Sequence, residues 1–536
     1  MLARFLKSIS YCEYINVVLV TFANLFYMLK YFLSTLSLFA LPMASAFAQS
    51  QIINGGSGHA VALCGKGQIF AWGLNKSNSL CLADEGADSI VAVPSLVNTG
   101  NITFTQVNGG SGDHSVALSC WGTVYCWGAN DNGQCGEAPS KYSSGKMPIP
   151  VPKGETEGYN LDGTVGGDYL GNVKMVAATS GASLALLNDG CCVYWGGTDK
   201  RLPGNAFVEN TETPKYIVDE NGDRLKNIIF VAGGDNGIML IVGDSKDAKV
   251  GTLYSMGTYN GRGGDGNSKS CYPAPVEIGD GSGTKSSGEY LTNVKTCAYS
   301  DAGAMAVDAD GQVYAWGNNG WWGVCGLTSM YPASSITYAE KVTSGEQKER
   351  TGEAFLTNVI QVIGGNGSAT ALAKDGSVLY WGSNTGAKKG GTSGGVIPNS
   401  DYATTQNTTM VGPVFANYCA GEHGNEKETR IDDAVAIGGG DLFGFVIDKA
   451  GDYYVWGTTE VPGGMGNAGT LGTGNVAEIS TCLKKIEMPC ETQDRYPEAD
   501  LRGPRYKCPG SRDTLDCGFE PYYGTIFSNG VKMALC

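Results

Sequence analysis

The chain has 536 residues, including 80 Gly and 19 Pro, and a formal net charge of -15 at pH 7. This acidic balance argues against binding to nucleic acid or to anionic membrane surfaces, because both attract proteins through Lys and Arg. The length alone would suggest several domains, but internal repetition explains this chain better than unrelated domains do.

Residues 1–48 have the pattern of a secretory signal peptide. Lys30 precedes the apolar run 31–41, and small residues end this stretch at Ala48. A positive end, a short apolar core and an A-x-A site define such a signal. Its most natural start is Met28.

Cleavage of this signal is expected before Gln49. The alternative is a signal anchor, because residues 15–29 are also apolar and a longer run could span a bilayer. Cleavage is favoured since the repeats begin almost at once, at Ile52. No membrane association is expected after cleavage, and the mature protein is predicted to be secreted, either periplasmic or extracellular and at the cell surface.

From residue 52 onward, one short motif recurs seven times, at intervals of about 55 to 75 residues, which predicts a propeller or solenoid. Each copy ends in Trp-Gly, except the fourth, where Met replaces Trp. The residues in this Trp slot are Trp72, Trp127, Trp195, Met256, Trp316, Trp381 and Trp456. A Gly stands five residues before the slot in every copy, at Gly67, Gly122, Gly190, Gly251, Gly311, Gly376 and Gly451.

Each copy is predicted to contain short strands and no helix. Gly pairs open the first strand, an apolar stretch follows, and Asp-Gly turns lead into a returning strand that alternates, as at residues 313–316. In a propeller, Gly at the strand start allows the innermost strands to approach closely around a channel. The Trp slot is expected to fill the wedge between neighbouring blades, which is a structural role.

The motif resembles the regulator-of-chromosome-condensation repeat family. The likeness is carried by His59 with Trp72-Gly73, by residues 114–118 with Trp127-Gly128, and by Asp310-Gly311 with Trp316-Gly317. It covers roughly residues 52–489 and implies an all-β fold, a seven-bladed β-propeller. The chain departs from the family pattern at Met256, in having the repeat His only at His59 and His114, and in long inserts at 142–168 and 383–417.

The sequence contains no convincing catalytic or metal-binding set. His59 and His114 occupy matching repeat positions, which favours a structural role, and His423 lies alone in an insert. Metal-ligand spacing is absent, and Asp-rich pieces such as 130–133 are explained by turn chemistry. We therefore expect no enzyme activity of a hydrolase or transferase, no metal and no cofactor.

The cysteines favour an oxidising compartment. There are 17, of which only Cys12 lies in the segment predicted to be removed, and no zinc-type spacing occurs. Cys81, Cys135 and Cys325 follow the Trp slot, where a repeat can use any small apolar side chain. Disulfides are predicted mainly among the cysteines at the end of the chain, namely Cys482, Cys490, Cys508, Cys517 and Cys536.

The predicted domains are the signal at 1–48, a propeller at 49–489 and a cysteine-containing tail at 490–536. Charged residues and Pro cluster at residues 495–507 of the tail, and a hairpin pattern follows around residues 528–530. It is expected either to close the ring, by supplying strands to the first or last blade, or to form a disulfide-stapled cap.

Two classes of function fit this sequence. Loops on a rigid propeller face favour a secreted, non-enzymatic protein that binds a protein partner, and the family resemblance implies protein recognition, as in a secreted bacterial β-lactamase inhibitor of this architecture. The alternative is a guanine-nucleotide exchange factor acting on a host small GTPase, since the family's namesake acts on Ran. No local motif carries exchange residues over to this chain.

The predicted partner site is the set of loops that leave the Trp-Gly ends. Trp321 and Trp322 follow Gly320 outside the repeat frame, and two adjacent Trp residues cannot both point inward on a strand. Tyr259 and Arg262 belong to the preceding copy's equivalent loop and would extend the patch. Exposed Trp is typical of interface hot spots. The alternative is that Trp321 and Trp322 fold back onto the fifth and sixth blades.

Overall fold

The computed structural model describes most of the repeat region. The described residues are 52–64, 67–100, 102–141, 147–197, 211–234, 237–257, 263–265, 270–319, 323–326, 335–382, 398, 411–461 and 466–490. All of them belong to one compact unit, residues 46–536. Across these ranges no helix is long and apolar enough to cross a membrane.

The described residues form seven antiparallel four-stranded blades, and each blade takes its strands consecutively from the chain. Blade 1 contains β1 (Ile53–Gly55), β2 (His59–Leu63), β3 (Ile69–Leu74) and β4 (Ile90–Leu96). Blade 2 contains β5 (Phe104–Gly109), β6 (His114–Ser119), β7 (Val124–Gly128) and β8 (Ile149–Pro150), and the hairpin β9 (Gly158–Tyr159) and β10 (Tyr169–Leu170) follows it. Blade 3 contains β11 (Val173–Ala178), β12 (Ala182–Leu187), β13 (Cys192–Gly196) and β14 (Thr211–Tyr216).

The other four blades repeat this order. Blade 4 contains β15 (Ile228–Gly233), β16 (Gly237–Val242), β17 (Thr252–Gly257) and β18 (Ser270–Pro275), followed by β19 (Glu277–Gly279) and β20 (Ser286–Tyr290). Blade 5 contains β21 (Val294–Ser300), β22 (Gly303–Asp308), β23 (Val313–Asn318) and β24 (Ser335–Lys341), followed by a 3-10 turn (Gly345–Gln347) and the short helix α1 (Lys348–Thr351). Blade 6 contains β25 (Val359–Gly364), β26 (Ser368–Ala373), β27 (Val378–Gly382) and β28 (Val411–Phe415), followed by β29 (Asn417–Tyr418), a 3-10 turn (Glu422–Gly424) and β30 (Thr429–Arg430). Blade 7 contains β31 (Ala434–Gly439), β32 (Phe443–Asp448), β33 (Tyr453–Thr458) and β34 (Ile479–Ile486).

The predicted all-β, seven-bladed propeller is therefore confirmed. The four-residue helix α1 is a small exception to the prediction that no helix follows residue 50.

The first strand of every blade lines a central channel. The Gly pairs were predicted at the start of a strand but lie at the end of the first strand, as Gly109 of β5 and Gly364 of β25 show. Blades approach one another closely here: a Cβ added to Gly438 in blade 7 would lie 2.0 Å from the carbonyl oxygen of Ile53 in blade 1. The same is true at Gly364, where a Cβ would lie 2.0 Å from the Tyr299 carbonyl oxygen of blade 5. Only Gly fits such contacts, because any side chain would push the strands apart.

The Trp slot ends the third strand of each blade and is buried in all seven, with no member more than 2% exposed. In six blades the register between the third and fourth strands shifts at the slot, so that the slot residue has no partner on the fourth strand. The Gly that follows the slot has a positive φ in every blade. Met256 sits in the same register, paired with Ile238 as Trp72 pairs with Ala60. The slot is thus structural, and Met fills it in blade 4.

The wedge role predicted for Trp is visible in its hydrogen bonds. Trp72 Nε1 donates to the Thr470 carbonyl of blade 7, and Trp127 Nε1 donates to the Ser79 carbonyl of blade 1, both at 2.9 Å. Trp381 Nε1 donates to the Val324 carbonyl of blade 5 at 2.8 Å. In each case the indole of one blade donates a hydrogen bond to the loop of the preceding blade, and this bond links the two blades.

The prediction that disulfides form mainly among the final cysteines is wrong for the two that the structure describes. Cys482 pairs with Cys419, and Cys490 pairs with Cys64; a third bond joins Cys126 to Cys135. Position in the folded ring, rather than position in the sequence, brings these partners together. Cys508, Cys517 and Cys536 lie outside the described residues.

The Cys64–Cys490 bond links the first blade to the segment that leaves the last one, across 426 residues of sequence. Among the described residues, blade 1 consists of β1–β4, and blade 7 consists of β31–β34 with β29 and β30 added beside β34. In this part of the chain the ring is closed by packing of β31 against β1 and by the disulfide. Residues 491–536 lie outside the described residues, so the expectation about their own structure stays a prediction.

Candidate partner-binding face

Two sets of connections emerge at the same end of the propeller because the four strands of each blade alternate in direction. One set comprises the turns between first and second strands. The other comprises the longer segments that leave the Trp-Gly ends, which span residues 75–89, 129–148, 197–210, 258–269, 319–334, 383–410 and 459–478. We call this end the partner-binding face. The turns between second and third strands, and the connections between blades, lie at the opposite end.

The predicted site residues Trp321, Trp322, Tyr259 and Arg262 fall in these segments but lie outside the described residues, so their role stays a prediction. The described parts of the same loop in blade 5 turn inward. Asn319 and Val324 are buried, and the Val324 carbonyl accepts the hydrogen bond from Trp381.

The channel mouth at this face is built from turn residues of several blades. The Ser57 hydroxyl of blade 1 lies 2.7 Å from Asp441 Oδ2 of blade 7 and 2.8 Å from the Ser111 carbonyl of blade 2. Ser111, Asp301 and Asp441 line a polar cavity of about 70 Å³ at this mouth. Sequence reasoning missed this cluster, although Ser57, Ser111 and Asp441 each directly follow a Gly pair, which is a recognisable signal.

Carboxylates dominate the described part of the face. The turns and loops there carry Asp84, Glu85, Asp88, Asp113, Asp131, Glu137, Asp265, Asp301, Asp441, Glu460 and Glu478, against Lys76 and Lys141. Lys76 Nζ lies 2.7 Å from Asp113 Oδ2 and links the loop of blade 1 to the turn of blade 2. Such a surface disfavours contact with phosphate groups.

Two His–Ser pairs resemble a base beside a nucleophile but are enclosed. His59 Nε2 lies 3.0 Å from Ser115 Oγ, and His114 Nε2 lies 3.1 Å from Ser183 Oγ. All four residues are fully buried between blades 1, 2 and 3, so no substrate can reach them. These pairs join neighbouring blades, which agrees with the structural role inferred from their matching repeat positions.

Burial holds both imidazoles neutral. It lowers the pKa of His114 to about 3, with a further lowering from nearby His59, and it lowers the pKa of His59 against the opposing effect of Asp113. A protonated imidazole in these sites would be a buried charge without a counter-ion. The two residues are therefore unsuited to acid–base chemistry near neutral pH.

These buried imidazoles predict that stability falls in mild acid. The unfolded chain binds protons below its ordinary His pKa of about 6.5, whereas the folded chain does not, so the stabilisation is complete above that pH and is lost as pH falls towards 3. At pH 5 the buried His114 is expected to cost about 2 kcal/mol relative to pH 7, and His59 should add a loss of the same sign. Denaturant unfolding at both pH values measures this.

The matched control is the double variant His59→Gln, His114→Gln, which keeps a polar group beside each Ser but cannot titrate. Its stability should change less between pH 7 and pH 5 than that of the native protein. Equal changes in the two proteins would contradict the assignment, because the acid sensitivity would then come from other groups.

The remaining His, His423, lies in the 3-10 turn Glu422–Gly424 at the opposite end. Within the described ranges, no group of His, Cys, Asp and Glu could hold a metal ion.

Residues 104–134, which form most of blade 2 and the start of its outgoing loop, match the family model described as regulator of chromosome condensation (RCC1) repeat. Prp20p from Saccharomyces cerevisiae, whose structure is described together with its binding properties to Gsp1p and histones, superposes with a TM-score of 0.54 at 17% identity over 83% of this chain and 88% of that one. The chain folds as an RCC1-type propeller.

Other comparisons agree with this RCC1-type fold. The structure of human WBSCR16 superposes with a TM-score of 0.54 at 19% identity, over 79% of this chain and 95% of that one. In sequence, the chain is 27% identical to the protein pim1 of Schizosaccharomyces pombe over 215 residues. That match covers 38% of this chain and 36% of pim1, so well under half of that relative's length is matched.

Proposed function

We propose that this RCC1-type propeller is a secreted, non-enzymatic protein that binds a protein partner through its partner-binding face. The observation that carries the proposal is the exit of all seven long loops at one end of a ring whose inner strands are buried and whose neighbouring blades are joined by hydrogen bonds. A rigid scaffold with variable loops at one end is a common arrangement for recognition. Prp20p, which shares the fold, is described as binding Gsp1p and histones.

Secretion is part of the proposal and rests on two supports. Residues 28–48 have the charge and apolar pattern of a cleaved signal. Three disulfides lie among the described residues, and such bonds persist mainly in oxidising compartments outside the cytosol. The protein would then meet its partner in the periplasm, outside the cell or at its surface.

An exchange factor for a small GTPase is the second candidate. It is supported by the fold shared with Prp20p and by that protein's binding to Gsp1p. Exchange by such a protein works through contact with the partner's nucleotide site, so both candidates would use the same face. They differ in whether the partner releases its nucleotide faster.

Partner binding tests the proposal. Cross-linking of the mature protein under oxidising conditions identifies a partner, whose affinity is then measured for the native protein and for the double variant Trp321→Ala, Trp322→Ala. Truncation of hot-spot Trp residues often costs about 2 kcal/mol or more, so at least roughly tenfold weaker binding is expected with unchanged stability. If the partner is a GTPase, release of a fluorescent nucleotide separates the two candidates.

The matched control is Trp121→Ala. Trp121 is half-buried in the turn after β6, at the opposite end of the ring. This variant should bind as the native protein does. Binding that survives the double variant but is lost with Trp121→Ala would place the interface at the wrong end and refute the proposal.

A further inference from the structure

The outer strands of four blades are covered by the connection that enters the same blade. In each case the connection contacts the same position of the fourth strand. The residue before the Trp slot pairs with a residue of the fourth strand, and the contacted position lies immediately before that pairing residue. This position is Pro214, Ala339, Pro413 and Leu483 in blades 3, 5, 6 and 7. Pro94 is the equivalent residue of blade 1.

The covering contacts are of similar kind. The Glu155 N–H donates to the Pro214 carbonyl at 2.9 Å, and Gly345 lies against the Pro413 carbonyl. Ile278 pairs with Ala339, and Tyr418 pairs with Leu483, both in parallel. Each connection thus takes up part of the free edge of the next blade, which would otherwise be open to pairing with another chain.

Blade 1 lacks a described connection of this kind, because the described chain begins at residue 52. The loop of blade 7 covers only the start of β4, where the Gly474 N–H donates to the Ala92 carbonyl at 2.9 Å. Beyond that point Val93 is 49% exposed and Leu96 is 52% exposed. The end of β4 is therefore an apolar edge with no cover among the described residues.

A groove continues from this edge. It has a volume of about 440 Å³ and is lined by Gln68, Leu96, Val97, Asn98, Thr99, Gly100, Ile102 and Thr103. None of these residues is charged, so the groove suits an apolar or uncharged segment. We call the exposed part of β4 and this pocket the blade 1 groove.

The last described residues of the chain, which follow blade 7, lie beside this groove. Met488 and Cys490 are buried, and Cys490 is bonded to Cys64 in the turn between β2 and β3. The Cys64 N–H donates to the Gln68 carbonyl at 2.9 Å, and Gln68 lines the groove. Because blade 7 lies beside blade 1 in the closed ring, the segment after blade 7 is positioned as a connection entering blade 1 would be.

We propose that residues 491–536 dock in the blade 1 groove and cover β4 as connections cover the outer strands of blades 3, 5, 6 and 7. Cys490 places the start of this segment within a few residues of the groove, and an extended chain advances about 3.3 Å per residue, so reach is ample. The segment carries the apolar residues Ile526-Phe527 and Met533-Ala534-Leu535, which suit an apolar edge. The disulfide holds the start of this segment beside the groove, which raises its effective concentration there and favours it over a separate chain.

The test compares the full chain with a variant that stops after Cys490 and so keeps the disulfide. Amide hydrogen exchange is measured across residues 90–98 and, as an internal control, across β14, whose edge is covered by its own connection. Loss of the tail should speed exchange at 90–98 by roughly tenfold or more and leave β14 unchanged. Addition of a peptide of residues 491–536 should restore the protection.

A second measurement uses the full chain with Leu96→Glu. Limited proteolysis should cleave the tail of this variant several-fold faster than the tail of the native protein. The control is Val165→Glu, at an exposed apolar residue in the connection between blades 2 and 3. This variant should leave the cleavage rate of the tail unchanged. Unchanged exchange at 90–98 after truncation would overturn the proposal. So would protection in the truncated protein that rises with its concentration, because the occupant would then be a second copy.

Discussion

Replacement of Trp381 by alanine is expected to cost about 3–5 kcal/mol of unfolding free energy, the usual range for a fully buried aromatic residue. The change removes the ring that fills the wedge between blades 5 and 6, and it leaves the Val324 carbonyl without the 2.8 Å hydrogen bond from the indole. Chemical denaturation with a comparison of midpoints and slopes measures the loss. The loss should appear in the midpoint, because the surface exposed on unfolding changes little.

The hydrogen bond can be separated from the packing by Trp→Phe changes. Trp195 is as buried as Trp381, but its Nε1 has no hydrogen-bond partner among the described residues. Trp381→Phe should therefore cost about 1 kcal/mol more than Trp195→Phe. Trp121→Ala, outside the repeat frame, should cost much less than Trp381→Ala. A loss below about 1 kcal/mol for Trp381→Ala would mean that the slot does not hold the blades together.

Removal of the Cys64–Cys490 disulfide is the second change expected to have a large effect. The pair Cys64→Ala, Cys490→Ala should lower the free energy of unfolding by about 2–5 kcal/mol, because the bond restricts the unfolded chain across nearly the whole ring. In the folded state the same change frees the segment after blade 7 from blade 1. The melting temperature of the native protein should fall on reduction for the same reason.

The control for this prediction is Cys126→Ala, Cys135→Ala. That bond spans only 9 residues within blade 2, so the entropy that it removes from the unfolded chain is smaller. The ring-closing pair should therefore lose more stability than the local pair. Equal melting temperatures for the native protein and the Cys64/Cys490 variant under oxidising conditions would contradict a stabilising role for ring closure.

The repeat pattern was enough to predict the blades. The Trp slot, the Gly five residues before it and the alternating strands all act within about twenty residues, where turn chemistry and strand period largely specify local structure. Met256 could be assigned to the slot on spacing alone, and the structure confirms its register. Gly251 is a partial exception, because it is the one Gly of that series without a positive φ, in a longer turn.

Contacts between distant parts of the chain could not be predicted in this way. His59 meets Ser115, and Trp72 meets the loop at Thr470, only because a ring places each blade beside the next and the last beside the first. The cysteines show this most clearly. Cys490 stands among the final cysteines in sequence but pairs with Cys64, since pairing depends on the distance between Cβ atoms after closure.

The partner-binding face combines both kinds of information. Spacing predicted which segments leave the Trp-Gly ends, and alternating strand direction then brings all of them to one end. The cluster of Ser57, Asp441 and Ser111 at the channel mouth required the folded ring, because its members come from blades 1, 7 and 2. Local patterns specify each blade since strand and turn energies are local, whereas the channel mouth, the cysteine partners and the uncovered edge of β4 follow from the order in which blades close around the axis.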